Sequence, residues 1–240
     1  MNIKNELSFL LLFLLCSYGF CQETDHIFRL GDSIPTVVDS VYREDQFYIG
    51  FTFNLLTNKP DEISQSGFSG GFQVGFVRDF PLNEQRNISL GTGLGWAINS
   101  YGHNLFIGED ENGESIFRAL DDDVSYDTNR FTTQAVEAPL EVRWRTSTAT
   151  SYRFWRIYTG FRLGYIYHFR SNFVQEANKV NQTEVPELER FRLGATFTFG
   201  YNTFNFHFYY SLNPFFGDAT IQEEQLGIST LKMGLMFYIL

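Results

Sequence analysis

The chain has 240 residues, a formal net charge of −10, 18% aromatic residues and two cysteines. Its length suits one domain, or one with a small appendage, and a core large enough to need no disulfide staples. The acidic balance excludes general nucleic-acid backbone binding, which needs clustered Lys and Arg, so no nucleic-acid partner is expected.

The N-terminus reads as an export signal. Lys4 precedes the apolar run Leu7 to Leu15 (LSFLLLFLL), which ends in the smaller, more polar CSYGFCQ. A charged start, a short apolar stretch and the small residues Gly19 and Cys21 mark residues 1–21 as a signal peptide cut before Gln22. The run is too short to cross a bilayer as a helix. A lipoprotein signal is the rival, but Phe20 before Cys21 and Leu15 before Cys16 are bulky where such signals carry a small residue. Both cysteines fall in the segment expected to be removed, so the mature chain has no disulfide framework, thiol nucleophile or cysteine metal cluster. Residues 22–44 form a polar periplasmic N-terminal segment with one apolar patch, Ile34 to Val41. It is either a tail that orders on a partner or a flexible leader.

Residues 45–240 carry a period-2 alternation that recurs eight times. Asp45 to Asn54 sets Phe47, Ile49, Phe51 and Phe53 against Tyr48, Gly50, Thr52 and Asn54. Gly67 to Phe80 sets Phe68, Phe72, Val74 and Phe76 against Ser69, Gly71, Gln73 and Gly75. In Asn87 to Ser100, Ile88, Leu90, Leu94, Trp96 and Ile98 oppose Ser89, Gly91, Gly93, Gly95 and Ala97. Tyr101 to Arg130 is a long loop that holds a candidate short hairpin, with Leu105 to Ile107 facing Ile116 to Ala119. Thr133 to Arg145 then sets Val136, Ala138, Leu140, Val142 and Trp144 against Glu137, Glu141, Arg143 and Arg145. Pro139 argues for a bulge there or a later strand start. Arg153 to Arg170 places Trp155, Ile157, Phe161, Leu163, Tyr165, Tyr167 and Phe169 on one face. Arg156, Tyr158, Gly160, Arg162, Gly164 and His168 take the other. Arg190 to Gly200, Phe204 to Leu212 and Ser229 to Leu240 repeat the pattern, with Arg192, His207 and Lys232 on their polar faces.

A soluble sandwich or lipocalin-like barrel would also alternate. Here the non-apolar face is rich in Gly, Ser and Thr with a few opposed charges, which suits a crowded small-barrel lumen, and the apolar face carries all three Trp. Short and long links also alternate between the segments. The fold expected is therefore all-β: an antiparallel transmembrane β-barrel of eight strands, with ten the alternative, short periplasmic turns, long outer loops and both termini periplasmic. Trp96, Trp144, Trp155, Tyr165 and Phe237 are the expected aromatic girdle.

Glu137, Glu141, Arg143, Arg145, Arg156, Arg162, Arg192 and Lys232 form the expected lumen charge network. It is either a salt-bridged plug or a selective pore, and in so narrow a barrel the plug fits better. Leu90 to Gly95 (LGTGLG) lacks nucleotide-loop spacing and a following helix, so its glycines read as close packing. The loop Tyr101 to Arg130 has net charge −6. Asp121 to Asp123 could meet a divalent cation, but EF-hand spacing is absent and solvated charge is the plainer reading. Ser100 with His103 is a nearby hydroxyl and imidazole pair without an orienting carboxylate; His168 and His207 read as lumen residues. No catalytic residue, metal or cofactor is expected. Lys232, Gly234, Phe237 and Ile239 follow the rhythm of last strands folded by the outer-membrane assembly machinery, with Leu240 in place of the usual Phe.

Val136 to Trp144 (VEAPLEVRW), a basic and polar turn, then Tyr152 to Tyr167 (YRFWRIYTGFRLGYIY) resemble the PorT-like family of outer-membrane barrels around its middle hairpin. Gly67 to Phe76 and Leu90 to Trp96 are also similar, and the likeness covers most of residues 45–240. The resemblance implies a non-enzymatic barrel resident in the outer-membrane bilayer. It would serve as an accessory or assembly component for type IX-like protein secretion, or dock secretion-system proteins. A small passive porin using the lumen charges is the alternative.

Overall fold

The computed structural model describes residues 45–111, 113–121, 123–146, 154–176, 178–221 and 224–239. The expected signal peptide and the segment 22–44 lie outside them. The described chain forms thirteen strands: β1 (Gln46–Thr57), β2 (Gly70–Pro81), β3 (Ile88–Gly102), β4 (Leu105–Glu109), β5 (Ser115–Ala119), β6 (Thr128–Arg145), β7 (Trp155–Gln175), β8 (Asn178–Gln182), β9 (Phe191–Tyr201), β10 (Phe204–Ser211), β11 (Thr220–Ile221), β12 (Glu224–Gln225) and β13 (Ser229–Ile239).

Eight of these close a barrel, in the order β6, β3, β2, β1, β13, β10, β9, β7 and back to β6. All eight contacts are antiparallel. Closure leaves no free sheet edge in the wall, as a bilayer requires. The ten-strand alternative is excluded, because β4 and β5 pair only with each other, Leu105 opposite Ala119 and Ile107 opposite Phe117. One end of the barrel holds the short links and the strand ends Gln46 and Ile239. There the two-residue turn between β9 and β10 is set by Asn202 at φ 56°, a left-handed conformation asparagine tolerates. The opposite end holds the long loops.

Two strands run past the others. β6 has 18 residues and stays paired to β3 as far as Arg130, whereas β7 has 21, leaves β9 above Tyr165 and pairs at its top with β8. A register shift falls between Gln134 and Ala135, opposite Ile166 and His168. Tyr167 and His168 therefore both point outward, and Phe169 points in. This corrects the expected faces of Phe169 and His168, since an inserted residue reverses every side chain beyond it. Pro139 causes no bulge: Thr92 opposite Leu140 and Gly95 opposite Glu137 flank it in one register.

The outward face of β6 changes character along its length. Val136, Ala138, Leu140, Val142 and Trp144 give way to Gln134, Thr132, Arg130 and Thr128, while the inward face passes from Arg145, Arg143, Glu141 and Glu137 to Ala135 and Phe131. Below Gln134 the wall is apolar outside and polar inside; above it the polarity is reversed, as in a water-soluble protein. Ten residues separate Trp144 from Gln134. At ~3.3 Å per residue and a tilt of ~40° they span ~25 Å, the height of the apolar band of an outer-membrane barrel.

Candidate functional site: the filled lumen and its apolar cap

Inside the apolar band the lumen is packed with charge in two layers. Nearest the short turns, Asp79 of β2 accepts hydrogen bonds from Arg143 and Arg145 of β6, one on each carboxylate oxygen, and from Ser89 Oγ at 3.0 Å. Arg143 also donates to Gln46 Oε1 and lies 3.9 Å over the Tyr158 ring, so both its edges and a face are engaged. Arg156 stacks 4.3 Å over Phe154. In the next layer Arg162 meets Glu137 at 3.1 Å and Glu141 at 3.7 Å, donates to Gln73 Oε1, and lies 5.4 Å from the Tyr48 ring. Lys232 of β13 reaches Glu137 at 3.9 Å and sits 4.5 Å over Tyr209.

Glycine makes room for these side chains. The Tyr48 hydroxyl lies across β2 and β3 where a Cβ on Gly75 or Gly95 would stand 2.5 or 2.1 Å from it. Small residues on one inward face thus receive large ones from the neighbouring face, which is how a narrow barrel fills to protein density. The LGTGLG run is part of this packing and has no phosphate-loop geometry.

Arg192 of β9 is placed differently from the rest. It makes no ion pair among the described residues and is held by the loop after β10, donating to Ser211 Oγ at 2.6 Å, to Asn213 O at 2.8 Å and to Pro214 O, with the Phe215 ring at 4.1 Å. It marks the join between the polar lumen and an apolar cap. Above it Tyr101 stacks on Phe131 at 4.8 Å, Phe215 meets Phe131 edge-on at 5.3 Å, and Phe169, Phe216 and Leu105 belong to the same buried cluster. The long loops therefore fold into their own hydrophobic core, each large side chain contributing about 1.5–3 kcal/mol by burial. Between the layers, at the level of Glu137, Thr133 and Lys232, a cavity of about 20 Å³ remains.

Every charge expected in the lumen is inside the barrel wall: Glu137, Glu141, Arg143, Arg145, Arg156, Arg162 and Arg192 are buried and Lys232 nearly so. Asp79, which joins two of these arginines, lies outside the expected network; it sits on the same parity as Gln73 and Gly75, past the point where the apolar alternation of β2 breaks at Arg78. Tyr48, Tyr158 and Tyr238, on the inward faces of their strands, supply aromatic faces to the arginines, a role that alternation alone does not signal. Among the described residues, six cations here face only three carboxylates, Asp79, Glu137 and Glu141.

The five residues of the expected girdle fall in two rows on the outer face. Trp144, Trp155 and Phe237 lie near the short turns, Trp155 beside Tyr201 and Phe237 edge-on to Phe204. Trp96 and Tyr165 lie toward the loop end. Trp96 Nε1 donates to Tyr167 Oη at 2.7 Å, and Tyr167 donates to Gln134 Oε1 at 2.8 Å, so indole and phenol point their polar ends away from hydrocarbon at the level where the wall changes polarity.

The remaining candidates separate. Ser100 Oγ has no hydrogen-bond partner, and His103 Nδ1 accepts from the Leu105 amide at 3.2 Å, so the two are not a catalytic pair. Burial pushes the His103 imidazole down to about 3. His207 faces the lumen and bonds Thr198 Oγ1 at 2.7 Å, whereas His168 is on the outside. Among the described residues no three His, Cys, Asp or Glu side chains come together in a metal-binding arrangement.

A family model described as outer membrane protein beta-barrel domain matches residues 35–217. The chain belongs to this family of outer-membrane β-barrels. The match takes in seven of the eight wall strands and stops before β13. The protein is thus an outer-membrane barrel, with the lipid bilayer as its surroundings. Among solved structures, Ail, the attachment invasion locus protein of Yersinia pestis, is similar at 12% identity and a TM-score of 0.33, over 81% of this chain and 97% of that one. A likeness at that level carries no functional information. No curated protein matches the sequence. The PorT-like resemblance is narrower than the matched family.

Proposed function

We propose that this barrel is a non-enzymatic, non-conducting anchor that docks partners, serving protein secretion or its assembly in the manner the PorT-like resemblance implies. The observation that carries this reading is the filled lumen. The cavity of about 20 Å³ at the level of Glu137 and Lys232 has room for about one water. Arginine, carboxylate and tyrosine side chains occupy the layer below, and the core around Phe131 closes the loop end. An ion crossing this barrel would have to part buried ion pairs and then an aromatic cluster, which speaks against the small-porin reading.

What is left for interaction lies outside the wall. The loop-end cap carries the β4–β5 hairpin, whose tip includes the half-buried Asp110 and the exposed Glu111 and Glu114, and the exposed Asp121 and Asp123. The proposed orientation sets this acidic face outward and the short turns, both termini and residues 22–44 toward the periplasm, in keeping with the alternation of long and short links. Cleavage of residues 1–21 and insertion by the assembly machinery complete the route.

The test is affinity purification of the tagged protein from detergent-solubilised outer membranes, followed by mass spectrometry. Recovery of secretion-system components with the barrel is the expected result. Recovery of the barrel alone would contradict a stable docking role.

A further inference from the structure

Arg156 is buried inside the turn end of the barrel with only 2% of its surface exposed, and neither its Nε nor its Nη1 has a hydrogen-bond partner. The rings nearby do not settle it. Phe154 covers one face of the guanidinium at 4.3 Å and Tyr238 stands at 5.7 Å, but stacking engages the plane of the group and leaves its N–H donors, which lie in that plane, unused. Among the described residues no carboxylate comes within ion-pair distance of Arg156. Asp79 is taken by Arg143 and Arg145, and Glu141 lies between Arg143 at 3.8 Å and Arg162 at 3.7 Å. Directly across the β6–β7 ladder from Arg156 is Arg145, a like charge that raises the local positive potential, and Arg143 shares the Tyr238 ring with Arg156 at 5.4 Å.

A desolvated guanidinium costs several kilocalories unless an opposite charge answers it, and donors left without acceptors add to that cost. We propose that the turn-end mouth of the lumen is an oxyanion site in which Arg156, supported by the positive field of Arg143 and Arg145, binds a phosphate group. The phosphate is either free in solution or the headgroup of a lipid in the leaflet at this end of the barrel. The phosphoryl oxygens accept the N–H donors that the protein leaves open, and Asp79 keeps the neighbouring arginines fixed so that the field is preorganised.

The full chain, refolded in phosphate-free amine-oxide micelles, is melted at rising inorganic phosphate with chloride holding ionic strength constant, then melted again in the same micelles with phosphatidylglycerol added. A bound anion raises the midpoint by about 3 °C at concentrations well above its dissociation constant. A saturable rise with inorganic phosphate that is lost in Arg156→Gln, and kept in Lys232→Met, assigns the site to a free anion. A rise seen only when phosphatidylglycerol is added to the micelles and lost in Arg156→Gln assigns it to lipid. Should Arg156→Gln fail to fold, Arg156→Lys takes its place with a weakened response expected, and broadening of the phosphorus-31 line of phosphate by the unsubstituted protein is the independent reading. Absence of any Arg156-dependent response to either source overturns the proposal.

Discussion

Asp79 is the residue whose loss should be felt most. Its two carboxylate oxygens are divided between Arg143 and Arg145, and all three side chains are fully buried. Asp79→Asn keeps the shape and the Ser89 contact at 3.0 Å but removes the one charge that both arginines share. Breaking a buried pair by deleting one partner costs about 3–5 kcal/mol, because the survivor is left charged in a poor solvent. For a chain of this size, each kilocalorie moves the melting midpoint by roughly 2–4 °C, so the variant should melt roughly 6–20 °C lower. Circular dichroism melts of the refolded protein in micelles measure this. The double variant Asp79→Asn/Arg145→Gln also removes one of the two cations that Asp79 binds and should recover part of the loss, a coupling of about 0.5–3 kcal/mol. A single variant within about 1 °C of the unsubstituted protein, or a double variant showing the plain sum of its singles, would refute the shared-carboxylate account.

Further expectations follow from the packing and the register. Gly95→Ala drives a Cβ into the Tyr48 hydroxyl, 2.1 Å away, and should destabilise by about 1–3 kcal/mol, with partial rescue by Tyr48→Ala in a thermal melt. Phe131→Ala, at the centre of the loop-end core, should cost about 3–5 kcal/mol and raise proteolysis of the loops while the wall stays resistant. In a chain with Cys16→Ser and Cys21→Ser, His168→Cys should react with a membrane-impermeant thiol reagent and Phe169→Cys should not, because the bulge turns the first position out and the second in. His103 lies in the cap, outside the bilayer, and burial depresses it from 6.5 to about 3, so the unfolded chain takes up its proton first. Its contribution is complete above about pH 6.5 and is lost as pH falls toward 3, with a slope of at most about 1.4 kcal/mol per unit. Midpoints measured from pH 7 to pH 4 should therefore fall less steeply in His103→Phe than in the unsubstituted protein.

The alternation of Trp96 with Gly95, or of Trp144 with Arg143, made the wall legible from sequence, because in a barrel inserted in lipid the two faces of a strand meet opposite solvents. The same rule concealed the upper parts of β6 and β7. There the solvents exchange places, so Phe131 and Phe169 point inward like core residues and the apolar pattern no longer reports the lipid face. The bulge at Tyr167 left no local mark in glycine or proline, while Pro139, which suggested one, is accommodated without a shift. The lumen cations could be found because charges on the parity of Gly and Ser in an aromatic-rich strand have nowhere else to go. Asp79 was harder to see, since Arg78 beside it is also charged and interrupts the alternation that would have fixed its face. Of the cap, the short hairpin with Leu105 opposite Ala119 is legible, but its packing against Phe215 and Phe216 is not, because those loop residues have no periodicity and meet the rest only in three dimensions.

Planar-bilayer recording of the purified full chain tests the filled-lumen account most directly. The account predicts no steady unitary openings at any applied potential, with Arg162→Ala leaving the trace silent or adding only irregular leak. Reproducible, ion-selective openings in the unsubstituted protein, altered in selectivity by Arg162→Ala, would contradict it and make the barrel a pore.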